Sequence, residues 1–476
     1  MKLLVLASLS VLVAAHDELN ARQAPPSSSA PPSAPVSSAS VSGSAAPSGA
    51  SSAPVSGVSG TASVSAPTPS GLTTLTFTPS STNPTAFPLQ SITASQSSPA
   101  TIPLPSTPAA GETPSISGAP TLPDLSPIQS ASYPPWDMKP PIDSPQVQQW
   151  KQEVADSNVP IPDIPPTVAG GCPANPQAAT NSSICWWTCG GCTRDTDISD
   201  CPEKLSWGLT YDDGPSFYTP NLLDYLDQAS LKATFFAVGS RCVQFPHTLQ
   251  LEYMKGHQIG VHTWSHPPLT TLTNDEIIAE LGWTKQIIKD VLGVTPNMMR
   301  PPFGDIDDRV RAISIAMGLT PVMWSRMSTT ATFDTDDFNV HGGLTTSEQV
   351  LNNWEAIMGN ASTKDDGFIV LEHDLFVETV ELATGYILPQ ALAHQPPFNI
   401  QPVVQCLNKP MTDAYIETND NSTNPPAASG AVTLSAGAPG SAQATGTDSG
   451  AAVSITSSVS GTLVAGVLLS LAVFQF

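Results

Sequence analysis

The chain has 476 residues, and its 17 Lys and Arg residues against 40 Asp and Glu residues give a net charge of −23. This acidity argues against nucleic acid as a partner, because phosphate binding needs clustered basic side chains. Only 12% of the residues are charged whereas 49 are proline, which excludes a single compact domain of ordinary composition. The composition must therefore differ between segments of the chain, and each segment is considered separately below.

The chain begins with Met1 and Lys2, followed by an apolar run that ends in small residues at position 15. This pattern is typical of a secretory signal peptide, and the run is too short to span a membrane. We therefore predict that residues 1–15 are a signal peptide and that the protein is secreted. A buried N-terminal helix is the alternative interpretation.

Residues 16–168 are dominated by Ser, Ala, Pro, Thr and Gly. Between residues 23 and 168 lie 29 of the 49 prolines, and Glu112 and Asp124 are the only charged residues between 23 and 132. Such a segment has few large apolar side chains to offset the entropy of the chain. Its composition predicts a disordered stalk, of the kind that carries O-linked sugars.

A Cys-rich segment, residues 169–203, contains five of the seven cysteines, at positions 172, 185, 189, 192 and 201. In a secreted chain these residues predict disulfides rather than a redox or zinc motif. Cys242 and Cys406 are then the pair expected to tie the end of the domain to its body, and the odd number leaves at least one thiol over. Trp186 and Trp187 are candidates for stacking on sugar rings, with a purely stapling role for the segment as the alternative.

Residues 204–410 alternate short apolar runs with helical patterns. Strands are predicted at 205–211, 232–238, 258–261, 298–299, 321–324, 368–371 and 400–404, and helices at 219–228, 243–255, 273–293, 306–317, 348–358 and 377–392. Alternation of this kind predicts an α/β fold with a mostly parallel, right-handed wound sheet. Six or seven such units in about 210 residues favour a small barrel over a doubly wound sheet.

Polar clusters stand where the predicted strands end, which is where α/β folds gather their chemistry. Five such clusters occur, at 210–215, 262–266, 300–305, 334–338 and 371–374. The first has adjacent carboxylates, which repel each other unless a cation or an arginine lies nearby. The second has two histidines four residues apart, which can share one metal ion if the turn between them is helical. Taken alone, each cluster can also be an ordinary turn or surface loop.

In this order the five clusters resemble the polysaccharide deacetylase family, carbohydrate esterase family four, and most closely its fungal chitin deacetylases. The resemblance covers residues 207–402. It implies a distorted (β/α)7 barrel of the NodB-homology type, flanked here by disordered Ser/Thr/Pro-rich segments, and a divalent metal, zinc or cobalt. The catalytic domain would then comprise residues 204–410.

The resemblance also assigns roles to individual residues. The expected metal ligands are Asp213, His262 and His266. The expected catalytic groups are the base Asp212, held by Arg300, and the acid His373, paired with Asp337. The expected substrate contacts are Phe303 through its N–H, Leu371, Phe338 and Tyr211. Phe338 stands where the family usually has tryptophan. The segment 325–333, which leads to this cluster, is longer than is usual in the family, so Asp336 stays an alternative to Asp337 as the partner of His373.

The implied reaction is hydrolysis of the N-acetyl groups of chitin, giving chitosan and acetate, in the fungal cell wall. One alternative is a deacetylase or esterase that acts on another acetylated polysaccharide, such as xylan or a bacterial wall polymer. Another is a non-catalytic, chitin-binding wall protein. We expect a monomer without a nucleic-acid partner.

Residues 411–449 return to a Ser/Ala/Gly-rich composition and predict a linker. Residues 450–476 contain a polar spacer and an apolar tail, which is the layout of a GPI-anchor signal removed on maturation. We expect the anchor at Ser449, and hence a protein on the outer face of the plasma membrane and in the cell wall; a weak tail anchor is the alternative. The sequons predict glycans at Asn181, Asn360 and Asn421.

Overall fold

A computed structural model of the protein describes residues 82–96, 103–329 and 331–419. The predicted signal peptide, the predicted anchor signal and most of the predicted linker lie outside these residues. Among the helices of the described part, none is both long and apolar enough to cross a bilayer.

The secondary structure follows the predicted alternation closely. The strands are β1 (Ser206–Gly208), β2 (Thr210–Asp212), β3 (Thr234–Ala237), β4 (Gln258–Val261), β5 (Met298–Met299), β6 (Thr320–Pro321), β7 (Phe368–Ile369) and β8 (Asn399–Gln401). The helices are α1 (Pro145–Asp156), α2 (Gly171–Ala174), α3 (Pro176–Ala179), α4 (Thr219–Gln228), α5 (Gly239–Gln244), α6 (Pro246–Met254), α7 (Asn274–Leu292), α8 (Asp308–Ala316), α9 (Phe338–His341), α10 (Ser347–Thr363), α11 (Val377–Leu382), α12 (Leu388–Ala393) and α13 (Val403–Cys406). A π-helix, Ala383–Ile387, joins α11 to α12.

The strands are parallel and form two sheets, in the orders β2-β3-β4-β5-β6 and β7-β1-β8. Backbone hydrogen bonds connect these sheets, among them those from Asp212 N to the carbonyl of Glu372 (3.0 Å) and from Ser325 N to the carbonyl of Ile369 (3.0 Å). The strands therefore close into a ring, in which β1 and β2 are successive parts of one strand. This arrangement confirms the predicted α/β barrel with seven strand positions.

The local sequence explains where α7, the longest helix of the described residues, begins and ends. Thr273 and Glu276 form a reciprocal capping box at the start of α7, as their spacing predicts. Gly293 ends the helix in a left-handed conformation with φ 79°, which glycine adopts without steric cost. The helix is buried along much of its length against the barrel, so it gives the loop between β4 and α7 a rigid neighbour.

Part of the segment predicted as a disordered stalk is ordered. Residues 82–96 and 103–168 carry helix α1, which Ser144 caps through a bond to Val147 N, and isolated apolar side chains such as Ile92 become buried. Trp150 packs so closely on Gly282 of α7 that any Cβ there would overlap it. The average composition misleads here, because sparse apolar residues are buried by the barrel surface and need no core of their own.

The cysteine pairing differs from the expectation in one bond. Cys172 pairs with Cys189 and Cys185 with Cys192, so the stapling prediction is confirmed. Cys406 pairs with Cys201 rather than with Cys242, which is a free, buried thiol. The reason is topological: Cys201 precedes β1 and Cys406 follows β8, and these two strands are neighbours. The predicted tie to the body of the domain exists, but through another residue.

Candidate active site

The first strand of the site ends in a buried carboxylate held by an equally buried arginine. Asp212, at the end of β2, is 2% exposed, and its Oδ1 accepts a hydrogen bond from Arg300 Nη1 at 2.9 Å. The same nitrogen donates to Thr210 Oγ1 at 2.8 Å, and Arg300 Nε donates to the carbonyl of Val322 at 3.2 Å. Because Arg300 is fully enclosed by these partners, it fixes the direction in which Asp212 points.

Asp213 and the two histidines of the second cluster meet at one point. Asp213 Oδ1 lies 3.2 Å from His262 Nε2 and 3.1 Å from His266 Nε2. His262 Nδ1 is 2.7 Å from the carbonyl of Arg300, so it carries the proton and leaves the lone pair on Nε2. The three potential ligand atoms lie within 4.8 Å of one another, and among the described residues they form the only such His/Cys/Asp/Glu cluster.

The chemistry of this donor set fits a divalent cation. Asp213 Oδ1 is buried and makes no hydrogen bond within the described residues, although two imidazole nitrogens face it. A buried carboxylate oxygen without a partner is costly, and a cation between the three atoms would satisfy all of them. Burial would raise the pKa of Asp213, but His266 and His262 lower it well below the usual range, so the carboxylate is in the ionised form that a metal requires.

The backbone around these candidate ligands is strained. Asp213 (φ 77°), Thr263 (φ 65°), His266 (φ 59°) and Phe303 (φ 60°) all have left-handed conformations, each costing about 1–2 kcal/mol for a residue with a Cβ. The two histidines therefore meet through a turn with left-handed residues, and the helical turn considered from their spacing does not form. Strain of this kind persists only where the surroundings hold it, and it concentrates at functional sites.

A second histidine–carboxylate pair lies in the segment that follows β7. His373 Nδ1 is 2.7 Å from Asp337 Oδ1, and the backbone N–H of His373 donates to Asp337 Oδ2 at 2.9 Å. Burial alone would lower the pKa of His373, but Asp337 raises it to about 10. Asp336 instead bonds to Asn339, so the geometry selects Asp337 as the partner. Phe338 packs on the imidazole of His373 at 5.2 Å between ring centroids.

The other predicted substrate contacts have different environments. Phe303 is 45% exposed, and its ring lies 4.7 Å from that of His266. Leu371, near the end of β7, is 8% exposed. The structure contradicts the contact predicted for Tyr211, which is fully buried and packs on Phe235, because alternate residues of β2 face opposite sides and Asp212 takes the inner one.

The Cys-rich segment packs against the loop that carries Phe303. Trp186 Nε1 donates to Asp305 Oδ1 at 2.8 Å, and the ring of Trp187 covers Gly304 so closely that a Cβ there would overlap it. The two tryptophans are 4% and 3% exposed. The prediction that they stack on sugar rings is therefore wrong, because the protein itself covers the faces of both indole rings.

Three residues of the site were not predicted. Thr210 and Asp305 stand inside the motifs, but only the structure shows that Thr210 bonds to Arg300 and that Asp305 accepts from Thr270 N and Oγ1. Glu280, in α7, accepts hydrogen bonds from the turn between the two histidines. No sequence signal marks Glu280, because its position in the helix pattern is that of a core residue.

The predicted sequons lie in different settings. Asn181 is exposed, and its side chain accepts a hydrogen bond from Ser183 N at 3.0 Å. Asn360 is half-buried within α10. Asn421 and the predicted anchor residue Ser449 lie outside the described residues.

Comparison with known proteins identifies the family to which the chain belongs. The model of the family described as polysaccharide deacetylase matches residues 199–322. Chitin deacetylase 1 of Saccharomyces cerevisiae is 36% identical over 228 residues, which are 47% of this chain and 67% of that one. The chain belongs to the polysaccharide deacetylase family. The resemblance seen in the sequence motifs is thereby confirmed.

Other relatives of this polysaccharide deacetylase are also named chitin deacetylases. Chitin deacetylase 1 of Cryptococcus neoformans var. grubii is 52% identical over 302 residues, which are 63% of each chain. The chitin deacetylase of Amylomyces rouxii is 43% identical over 201 residues, 40% of this chain and 46% of that one. The chain thus spans only about half to two thirds of these relatives. The solved chitin deacetylase of Colletotrichum lindemuthianum is 23% identical with a TM-score of 0.41, covering 48% of this chain and 99% of that one.

Proposed function

We propose that this polysaccharide deacetylase hydrolyses the N-acetyl groups of chitin, giving chitosan and acetate. The observation that carries the proposal is the convergence of Asp213, His262 and His266 on one point, beside Asp212 and within the same barrel end as His373. Relatives named chitin deacetylases at 36–52% identity support chitin as the substrate.

A divalent metal held by Asp213, His262 and His266 would lower the pKa of a water molecule and polarise the acetyl carbonyl. We propose zinc or cobalt, because two imidazoles and one carboxylate with open positions suit such ions. The residues of the chain perform the proton transfers. Asp212 accepts the proton of the attacking water, and Arg300 holds the carboxylate for this task.

The leaving nitrogen needs a proton before the C–N bond breaks, because an amide anion is a very poor leaving group. His373 donates this proton, and Asp337 keeps the imidazole protonated and oriented. The backbone N–H of Phe303 donates to the carbonyl oxygen as negative charge develops there. Leu371 and Phe338 are the proposed walls of the acetyl pocket.

Acetate release from chitin oligomers of graded length, with metal content measured on the same sample, tests this function. We expect Asp212→Asn to retain the metal and to lose at least about 10²-fold in kcat/KM, because it lacks the general base. Asp227→Asn, at an exposed ion pair with Lys255, is the control and should keep wild-type activity. Acetate release at the wild-type rate by Asp212→Asn would contradict the assigned base.

The same chemistry on an ester or on another polymer is the second candidate. Acetylated xylan assayed beside chitin oligomers separates the two, since the family comparison leaves the acyl acceptor open. Faster acetate release from acetyl-xylan would replace chitin as the substrate and leave the catalytic roles unchanged. Chitin binding without acetate release would favour a non-catalytic wall protein.

The location of the enzyme is also a proposal. We infer that it is secreted, because three disulfides stabilise the described part, and such bonds persist in oxidising compartments. We propose a GPI anchor at Ser449, which places the protein on the outer face of the plasma membrane and in the cell wall. We further propose a monomer, since one chain carries every site residue. Release by a phosphatidylinositol-specific phospholipase tests the anchor.

A further inference from the structure

The turn that carries both proposed metal-binding histidines depends on two neighbouring helices. Residues 262–266 follow β4, and two of them, Thr263 and His266, have left-handed backbone conformations. The carbonyls of Thr263 and Trp264 accept hydrogen bonds from Gly239 N (2.9 Å) and Ser240 N (3.1 Å) at the start of α5. This contact satisfies one side of the turn and leaves its N–H groups to be satisfied elsewhere.

Two of those N–H groups, from Trp264 and Ser265, donate to a single carboxylate, whereas that of His266 donates to Thr263 Oγ1 at 3.1 Å. Glu280 of α7 is fully buried, and its Oε2 accepts hydrogen bonds from Trp264 N and Ser265 N, both at 2.8 Å. Its Oε1 accepts from Ser265 Oγ at 2.5 Å. Both residues lie between the two histidines, so the carboxylate holds the middle of the turn from inside the protein.

We propose that Glu280 is a positioning residue for the metal site, which keeps His262 and His266 directed at Asp213. Two backbone N–H groups bonded to one buried carboxylate fix the peptide planes of a turn that would otherwise relax from its left-handed conformations. Relaxation of Trp264 and Ser265 would move His266 away from Asp213 Oδ1, from which its Nε2 is 3.1 Å. The inference rests on the proposed function only in taking these three residues as metal ligands.

A second buried glutamate provides a matched comparison. Glu252 of α6 is also fully buried, and neither of its carboxylate oxygens has a hydrogen-bond partner among the described residues. The two residues therefore share side-chain type and burial and differ in what they hold. A general effect of replacing a buried carboxylate should appear in both, whereas a positioning effect should appear only in Glu280.

The test is the affinity of the full-length protein for Zn²⁺, measured by competition with a chromophoric chelator after metal removal. We expect Glu280→Gln to raise the dissociation constant about 10- to 100-fold, as is usual when groups that orient metal ligands are changed. The amide keeps the shape but removes the negative charge that strengthens the hydrogen bonds from Trp264 N and Ser265 N, and it replaces the acceptor of the Ser265 hydroxyl with a donor. Glu252→Gln should leave the dissociation constant within about twofold of wild type.

Ser265→Ala covers the case in which Glu280→Gln fails to fold, because it removes one of the three hydrogen bonds and leaves the carboxylate in place. We expect it to raise the dissociation constant about fivefold. Unchanged Zn²⁺ affinity in folded Glu280→Gln or in Ser265→Ala, or an equal rise in Glu252→Gln, overturns the inference. Because Zn²⁺ affinity is measured without substrate, a wild-type protein that binds Zn²⁺ but releases no acetate overturns the proposed function alone.

Discussion

The two ends of the proposed active site use the same residue types in opposite ways. At the carboxyl end of β4, His262 is tied through Nδ1 to a backbone carbonyl and turns its Nε2 to Asp213. In the segment that follows β7, His373 is tied through Nδ1 to the carboxylate of Asp337. A neutral carbonyl leaves the first imidazole a lone pair to share, whereas a carboxylate stabilises the protonated form of the second.

The partner of Nδ1 thus decides which of the two proposed roles, metal ligand or acid, suits each histidine. The carboxylates differ in the same sense: Asp213 Oδ1 faces two imidazoles without a hydrogen bond, while both oxygens of Asp337 are engaged by His373. We call the first cluster, Asp213 with His262 and His266, the ligand end. We call the second, His373 with Asp337, the acid end.

The largest expected effect comes from removing the carboxylate of the ligand end. Asp213→Ala should lose the metal and at least about 10³-fold in kcat/KM, because a bound ion supplies several kcal/mol of charge stabilisation. Metal analysis and acetate release from chitin oligomers on the same preparation measure both. Stoichiometric metal in this variant would contradict the assignment of the ligand end.

At the acid end, Asp337→Asn should change the pH dependence rather than the metal content. Asp337 raises the pKa of His373 to about 10, so the proton donor is present below that pH and is lost as pH rises through it. Without the carboxylate this pKa falls, and the alkaline loss of kcat/KM moves to lower pH. We expect a loss of about 10²-fold at pH 8 and full metal content.

Asp336→Asn is the control for this variant, because Asp336 bonds to Asn339 and lies next to Asp337 in the chain. It should keep the alkaline limb of the wild type and activity within about threefold. A pH profile shifted equally in both variants would show that the general charge of the loop, and not the Asp337 pair, sets the pKa of His373.

The sequence predicts the parts of the molecule that depend on local patterns. Apolar runs ending in polar clusters correspond to the strands, and the Thr273–Glu276 capping box starts α7 as expected. The motif residues stand at strand ends, as Asp212 and Asp213 do at the end of β2. This placement is enough to predict that they meet at one end of the barrel, because parallel strands end together.

The rest depends on contacts that are distant in the chain. The pairing of Cys201 with Cys406 follows from the adjacency of β1 and β8, which spacing does not reveal. The ordered part of the predicted stalk is held by the barrel surface, as at Trp150 on Gly282. The position of Glu280 in the helix pattern is that of a core residue, and its role depends on Trp264 and Ser265, which lie 16 and 15 residues earlier in the chain.

The Cys-rich segment should affect the loop that carries Phe303 and not the acid end. Trp187 packs on Gly304 and, at 4.4 Å between ring centroids, on Trp324, so Trp187→Ala removes the support of the loop carrying Phe303. We expect about a tenfold loss of kcat/KM with an unchanged alkaline limb, since small displacements of a reacting geometry are costly. Stability should fall by about 3–5 kcal/mol.

Trp354→Ala is the matched control, because Trp354 is fully buried and packs on Trp207 in the barrel wall. It should lose comparable stability, measured by urea unfolding, and retain kcat/KM below its unfolding transition. An equal loss of kcat/KM in both variants would mean that the Cys-rich segment only stabilises the fold.

The smallest effect is expected between the two ends, at Thr210. Its hydroxyl accepts from Arg300 Nη1 at 2.8 Å and donates to the carbonyl of Val370 at 2.6 Å, while Arg300 keeps a separate hydrogen bond to Asp212. Thr210→Val should therefore lower kcat/KM only about threefold to tenfold and stability by about 1–3 kcal/mol, because it leaves buried groups unsatisfied. Metal content and the alkaline limb should match the wild type, since the hydroxyl contacts neither the ligand end nor the acid end. Loss of metal in this variant would show that Arg300, whose carbonyl accepts from His262, transmits its position to the ligand end.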